Sequence, residues 1–488
     1  MGLFRKQEEP SAEDTEVLEE ETVKEPSAKY IILPLLFEML LLGILFLKNR
    51  TASLNYLYAL IPLLLLTAGI GTYVYNRDGN MKLFMSAACL SSLGIALQML
   101  IDQVYHPITV FSFWKLMLGI AVAAVFILIY SYFRRFLNSA ITMYVMMGVS
   151  AAIYLILIIA GSDPNGYGTS AWIRIGSYTI QLTDFTKISA VMFYASLFSP
   201  HAHRDEKQVL LISSVFFAIN LVGSLAIKEL GSFFILFFLH LSILYIFMKR
   251  GNKKRIYLIA VFACILLAVI MVFVLYKVMV SAAEAGTLNS IESFLWPIVK
   301  KAYQRFSVTA NINLDPNGAG YQLLQGKKAL WMSGLFGNQV NFNAIPVAES
   351  DMAFISLCNG FGFVFGFAAI AMFWRMMIAG SELSREYLLK NRCEAIVVYG
   401  ASVLIFLQAM IVILGSCNVI PFTGLPIPFL SRGGTYQTIV FCFVGLLLHM
   451  SEKNVKEGGE SDDGPRSDGT EQEPETETDR GEKTSIQA

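Results

Sequence analysis

Charge is scarce in this chain: Asp, Glu, Lys and Arg together supply 15% of its 488 residues, against 55% apolar and 13% aromatic side chains. With a mean hydropathy of +0.57, that shortage excludes a soluble globule with a polar skin. Cysteine is equally uninformative as chemistry. All six cysteines, Cys89, Cys264, Cys358, Cys393, Cys417 and Cys442, fall within or beside apolar runs and no pair has metal-site spacing, so they read as packing residues without disulfides. No apolar run precedes Tyr30, which argues against a cleavable signal peptide and leaves the first span as the targeting signal. The formal net charge of zero decides nothing by itself, and no nucleic-acid partner is expected.

What the chain has in abundance is greasy helix. Runs long enough to cross about 30 Å of hydrocarbon recur from Ile31 to Met450. The expected spans lie near 30–48, 54–74, 81–101, 111–133, 139–161, 184–199, 208–227, 231–248, 256–280, 351–378, 394–418 and 433–450. The fold class is therefore all-α and polytopic, with about twelve membrane helices and a large polar loop before the tenth. Residues 1–28 and 451–488 are acidic, lack apolar periodicity and read as disordered tails.

Lys and Arg cluster in alternate short loops: Arg134 and Arg135; Arg204 and Lys207; Lys249, Arg250, Lys253, Lys254 and Arg255; Arg385, Lys390 and Arg392. The positive-inside bias makes these the cytoplasmic loops, with both termini in the cytoplasm and the loop of about 281–350 outside. Lys48 and Arg50 depart locally from that pattern.

Asp351 ends the polar stretch and stands at the mouth of an apolar run. An ionisable group at such a boundary is a functional candidate, and a partly desolvated carboxylate makes a base for a hydroxyl proton. Lipid-linked sugars are substrates available at that surface. Asp is also a preferred N-cap, and Glu349-Ser350-Asp351 before an apolar run is what a capped helix start looks like, so both readings stand at this point. Arg305, Lys327 and Lys328 in the loop, and Lys187 three residues after Asp184, suit phosphate oxygens; each alone also fits a snorkelling or solvated cation. Trp172 fits an interfacial anchor as well as a substrate contact.

Five strings in order carry a family resemblance. The loop has Arg305, then Asp315-Pro316, Gly318, Gly320, Tyr321, Gln322 and Gln325, then Ala329, Gly334 and Gly337, followed by Pro346 and Ser350-Asp351. Near the C-terminus stands Pro421-Phe-Thr-Gly-Leu-Pro-Ile-Pro-Phe-Leu-Ser-Arg-Gly-Gly434. Earlier come Ala171-Trp172-Ile173 with Gly176, Gln181 to Lys187, and Lys228-Glu229-Leu230-Gly231-Ser232. Together, over about 81–450, they resemble the SEDS family (shape, elongation, division, sporulation) of RodA and FtsW type.

The resemblance implies a ten-helix core with two added N-terminal helices within 29–80. It also implies polymerisation of lipid II into glycan strands outside the cytoplasmic membrane. Asp351 carries over as the catalytic aspartate of an inverting glycosyltransferase, with Arg305, Lys187, Trp172, Gln322, Ser431 and Arg432 as substrate-binding residues. A class B penicillin-binding protein is the implied transpeptidase partner, and a divalent cation (Mg or Mn) is compatible with a pyrophosphate leaving group. The chain departs from the family in Gln181-Leu182-Thr183-Asp184, Glu229, Val347, Asn359-Gly360 and Arg432, and in a short segment between Gly337 and Ile345. Two other readings remain: a catalytically silent scaffold for a transpeptidase, and a flippase for a lipid-linked precursor. The flippase reading calls for ionisable residues in mid-span, where Lys115 and Arg375 lie only near helix ends but Glu38 stands unexplained.

Overall fold

The computed structural model describes residues 28–48, 53–105 and 114–457, except 165, 167, 177, 200–203, 250, 319 and 433. Residues 1–27 and 458–488, which make up most of the two expected tails, lie outside the described residues, as do Arg50 and the side chains of Lys115 and Arg135. The chain opens with a pair of packed helices, α1 (Lys29–Lys48) and α2 (Ser53–Asn76), both laid against α3 (Met81–Tyr105). Next come α4 (Trp114–Leu137), α5 (Ala140–Ala160), an antiparallel hairpin of β1 (Trp172–Ile175) and β2 (Tyr178–Gln181), α6 (Phe185–Leu197), α7 (Glu206–Ala226), α8 (Gly231–Phe247) and α9 (Asn252–Glu284). The second half holds α10 (Ser290–Ala310), α11 (Tyr321–Trp331), α12 (Ala353–Phe361), α13 (Phe363–Leu388), α14 (Arg392–Ser416), α15 (Gly434–Met450) and the short α16 (Lys453–Glu457). The fold is an all-α polytopic membrane bundle with one small hairpin.

Among the described residues eight helices are long and apolar enough to cross a membrane: α1, α3, α4, α5, α7, α9, α13 and α14. The other four expected spans correspond to shorter apolar stretches, in α2, α8 and α15 and in the 13-residue α6. Shortness in α6 has a physical reason. It is buried among neighbouring helices along nearly its whole length, so protein rather than lipid surrounds it. Of the eight long apolar helices, α3 and α14 are the most buried; both pack against α13, and α14 also packs against α6.

Three expectations need correction. The span expected at 351–378 is broken: Gly362 adopts φ +101°, and a Cβ there would stand 2.1 Å from the Leu335 carbonyl oxygen, so only glycine lets the backbone turn there. The polar segment of 281–350 is not simply a loop, because it contains α10 and α11. The C-terminal tail begins later than its charge pattern suggests. Ser451 and Glu452 are buried, where Ser451 Oγ accepts from the Asn80 amide (2.8 Å) and the Glu452 carboxylate pairs with Arg77 (3.4 Å).

Glu38 finds its explanation at the seam of the added helices. Its Oε1 accepts from Thr67 Oγ1 of α2 (2.6 Å) and Ser92 Oγ of α3 (2.8 Å), binding the N-terminal pair to the bundle in mid-helix. The Phe37 ring lies tilted against Phe365 of α13, with centroids 6.1 Å apart, reinforcing the same seam.

Candidate active site

Asp351 lies in the turn before α12, but it does not cap that helix. The cap position falls to Met352, which makes no side-chain capping bond. The Asp351 carboxylate instead accepts from Ser350 Oγ (2.9 Å), and its other oxygen looks toward Gly424, where an added Cβ would come within 3.5 Å. Burial raises its pKa above the ordinary aspartate value; the Ser350 bond and the Arg305 charge oppose that rise. The result is a half-buried carboxylate with one oxygen on the Ser350 hydroxyl and the other toward Gly424.

The peptide carrying Asp351 is held by the last polar loop. Ser431 Oγ donates to the Ser350 carbonyl (2.7 Å) and the Arg432 amide donates to the Glu349 carbonyl (2.7 Å). Gln98 of α3 bridges both segments, donating to Glu349 O (3.1 Å) and Leu430 O (2.7 Å). The loop is braced in turn by Gln437, which donates to Ile427 O (3.1 Å) and Ser431 O (2.8 Å), and by Gln408, which donates to Pro426 O (2.8 Å). Irregular backbone at this depth is tolerated because such side chains satisfy it. Ser431 and Arg432 thus act here as braces, and the Arg432 guanidinium is engaged by Asp102.

Arg305 comes from α10 and feels two carboxylates, Glu229 and Asp351. Burial lowers its pKa and those charges oppose the fall. Among the described residues neither carboxylate closes on it as a hydrogen-bonded ion pair. Lys301, one turn earlier on the same helix, is pushed down to about 8, first by burial and then by Arg305. Glu229 precedes α8 and accepts at Oε1 from the Ser232 amide and hydroxyl (3.0 Å each), while its other oxygen is buried without a hydrogen-bond partner. Lys187, almost fully buried, donates to Asp184 Oδ1 (2.6 Å), sits 4.2 Å over the Tyr436 ring and adds its charge to the surroundings of Glu229. Lys187, Glu229, Arg305 and Asp351 therefore form one electrostatic chain across α6, the α7–α8 turn, α10 and the start of α12.

The remaining candidates sit around this chain. Gln322 is in the first turn of α11 with a buried amide nitrogen lacking a partner. Gly326, one turn on, packs against the Met352 sulfur next to Asp351. Trp172 packs with Ile153, Tyr154, Leu157 and Ile227 in a satellite cluster, and its carbonyl accepts from Ser162. Lys327 and Lys328 are exposed. Sequence reading missed Lys301, Gln98, Gln408, Gln437 and Gly424. The amides within apolar runs and the four-residue spacing of Lys301 and Arg305 were the available signals.

Fold and site together define a multi-pass membrane protein that gathers a desolvated carboxylate and several cations in one polar region at the ends of its helices. The family model described as "Cell cycle protein", covering FtsW, RodA and SpoVE, matches residues 80–456. This chain belongs to that family. It is 26% identical over 313 residues to the stage V sporulation protein E of Bacillus subtilis, a match covering 63% of this chain and 78% of that protein. It is 32% identical over 161 residues to the probable peptidoglycan glycosyltransferase FtsW of Enterococcus hirae, covering 32% of this chain and 40% of that one. Among solved structures, a chain of a peptidoglycan synthase complex that coordinates polymerization and crosslinking superposes with a TM-score of 0.58 at 17% identity, over 79% of this chain and 99% of that one. A variant of the rod shape determining protein RodA of Thermus thermophilus gives 0.51 at 13% identity, over 77% and 98%. At these identities the two structures speak for the fold alone.

Proposed function

We propose that this protein is a peptidoglycan glycosyltransferase that polymerises lipid II, and that the Asp351–Arg305 face is where it does so. The observation that carries the reading is that the last polar loop and the start of α12 hold Asp351 with one carboxylate oxygen on the Ser350 hydroxyl and the other toward Gly424, while Arg305 of α10 lies close enough for its charge to oppose the rise in the Asp351 pKa. Asp351 takes the proton from the acceptor sugar's 4-hydroxyl. The oxygen forms a bond to the donor's anomeric carbon as the bond to the undecaprenyl pyrophosphate breaks, with inversion in one step. Arg305 faces the departing pyrophosphate, and Lys301 and Lys187 extend the positive field behind it.

A divalent cation (Mg or Mn) held mainly by the pyrophosphate oxygens would share the leaving-group charge with the chain's own cations, and it needs no dedicated protein cage. The positive-inside pattern supports a topology with both termini in the cytoplasm and the polar site outside. The solved neighbour is part of a synthase complex, which supports a class B penicillin-binding protein as partner. The flippase reading loses its one mid-span argument, because Glu38 is bonded to Thr67 and Ser92 at a helix seam. The test is incubation of the purified protein with labelled lipid II. Glycan strands and free undecaprenyl pyrophosphate are expected; intact lipid II, even with the partner present, would overturn the assignment.

A further inference from the structure

The two helices that precede the family match hold a lysine that reaches the site's framework. Lys48 is the last residue of α1, and its ammonium donates to the carbonyls of Phe336 (3.1 Å), Gly337 (2.8 Å) and Gly360 (2.6 Å). Three rotatable donors meet three acceptors. The acceptors matter because of where they lie: the last carbonyls of a helix have no partner within it, and a cation is favoured beside them. In α12 the Cys358 carbonyl is taken by the Gly362 amide (2.8 Å), the Asn359 carbonyl by the Gln339 amide (3.1 Å), and the Gly360 carbonyl by Lys48. Asn359 Nδ2 adds bonds to Ala329 O (2.8 Å) and Val340 O (3.1 Å).

α12 is a short rod, buried at every one of its nine residues and about 14 Å long. Asp351 stands just before one end and Lys48 closes the other. α1 itself is not loose, because Glu38 and Phe37 fix its middle to α2, α3 and α13.

We propose that Lys48 is a positioning residue for glycosyl transfer: by tying the 336–337 backbone to the end of α12, it sets the rod so that Asp351 faces Arg305. This rests on the reading of Asp351 given above. It also accounts for a cation on what the charge pattern makes the wrong side of α1, since the charge is engaged by carbonyls rather than left in an open loop.

The experiment compares Lys48→Met, which keeps the stem without the donors, with Lys48→Arg, which keeps charge and donors. Both are measured in the full chain for kcat and KM per folded molecule and for amide hydrogen exchange over 334–340 and 358–364. The expected result for Lys48→Met is a kcat lower by about tenfold to a hundredfold with KM little changed, since small misplacement of a reacting group costs that much. Faster exchange in both segments should accompany it, and Lys48→Arg should restore most of the rate. An unchanged kcat in Lys48→Met, or a loss confined to folded yield and Tm, overturns the proposal. If Lys48→Met does not accumulate, Lys48→Gln takes its place under the same criteria. Should the native chain polymerise nothing, the enzyme reading fails by itself, and exchange still decides whether Lys48 holds α12.

Discussion

Asp351 draws its basicity from burial, and the nearby cations determine how far that basicity can be used. Its pKa is raised, so lowering the pH protonates it and kcat should fall on the acid side. Lys301 works in the opposite sense. Burial and Arg305 push it down to about 8, so it loses its charge as pH rises through that value. If it helps hold the pyrophosphate, KM for lipid II should climb above about pH 8, and Lys301→Arg should remove that alkaline limb. A pH series of kcat and KM on both proteins measures it; an identical alkaline limb in Lys301→Arg would exclude Lys301 from the site. As candidates, Asp351 and Lys187 stood out in the sequence as charges at the edge of apolar runs, and Arg305 as a loop cation that opens the family motif. Lys301 did not, because 281–350 read as loop and the helical spacing of Lys301 and Arg305 in α10 was hidden with it.

At the scale of elements, the last polar loop and the start of α12 work as one piece. Gly424 has φ +66° and its bare Cα faces the Asp351 oxygen. Gly424→Ala should cost about 1–2 kcal/mol in backbone strain and put a methyl in van der Waals contact with the carboxylate, shielding that oxygen, with kcat falling more than folded yield. Single-turnover measurement alongside thermal unfolding separates the two effects. The loop's string of prolines and glycines was readable as an irregular, cavity-lining turn. Its braces were not, because Gln98 and Gln408 are lone amides with apolar residues on both sides in the sequence. The break between α12 and α13 was equally hidden. Composition stays apolar on both sides of Gly362, and periodicity cannot register a kink that leaves hydrophobicity unchanged.

At the scale of the molecule, two N-terminal helices are packed along α3 of the family core and pinned there by specific polar bonds at Glu38. Glu38→Ala leaves the Thr67 hydroxyl without its buried partner and should lower stability by about 1–3 kcal/mol, read as a lower Tm in detergent. An unchanged Tm would mean that apolar packing alone holds α1 and α2. The order of the apolar runs was plain from the sequence, whereas their number was not, because a short helix such as α6 could be weighed only once it was seen enclosed by protein.

The central claim is that Asp351 is the base of a glycan polymerase. Its most direct test is polymerisation of labelled lipid II by the purified native chain and by Asp351→Asn, at equal folded amount, with and without the transpeptidase partner. The account predicts long strands from the native protein and none from the variant. Strands of equal length and yield from both would contradict it.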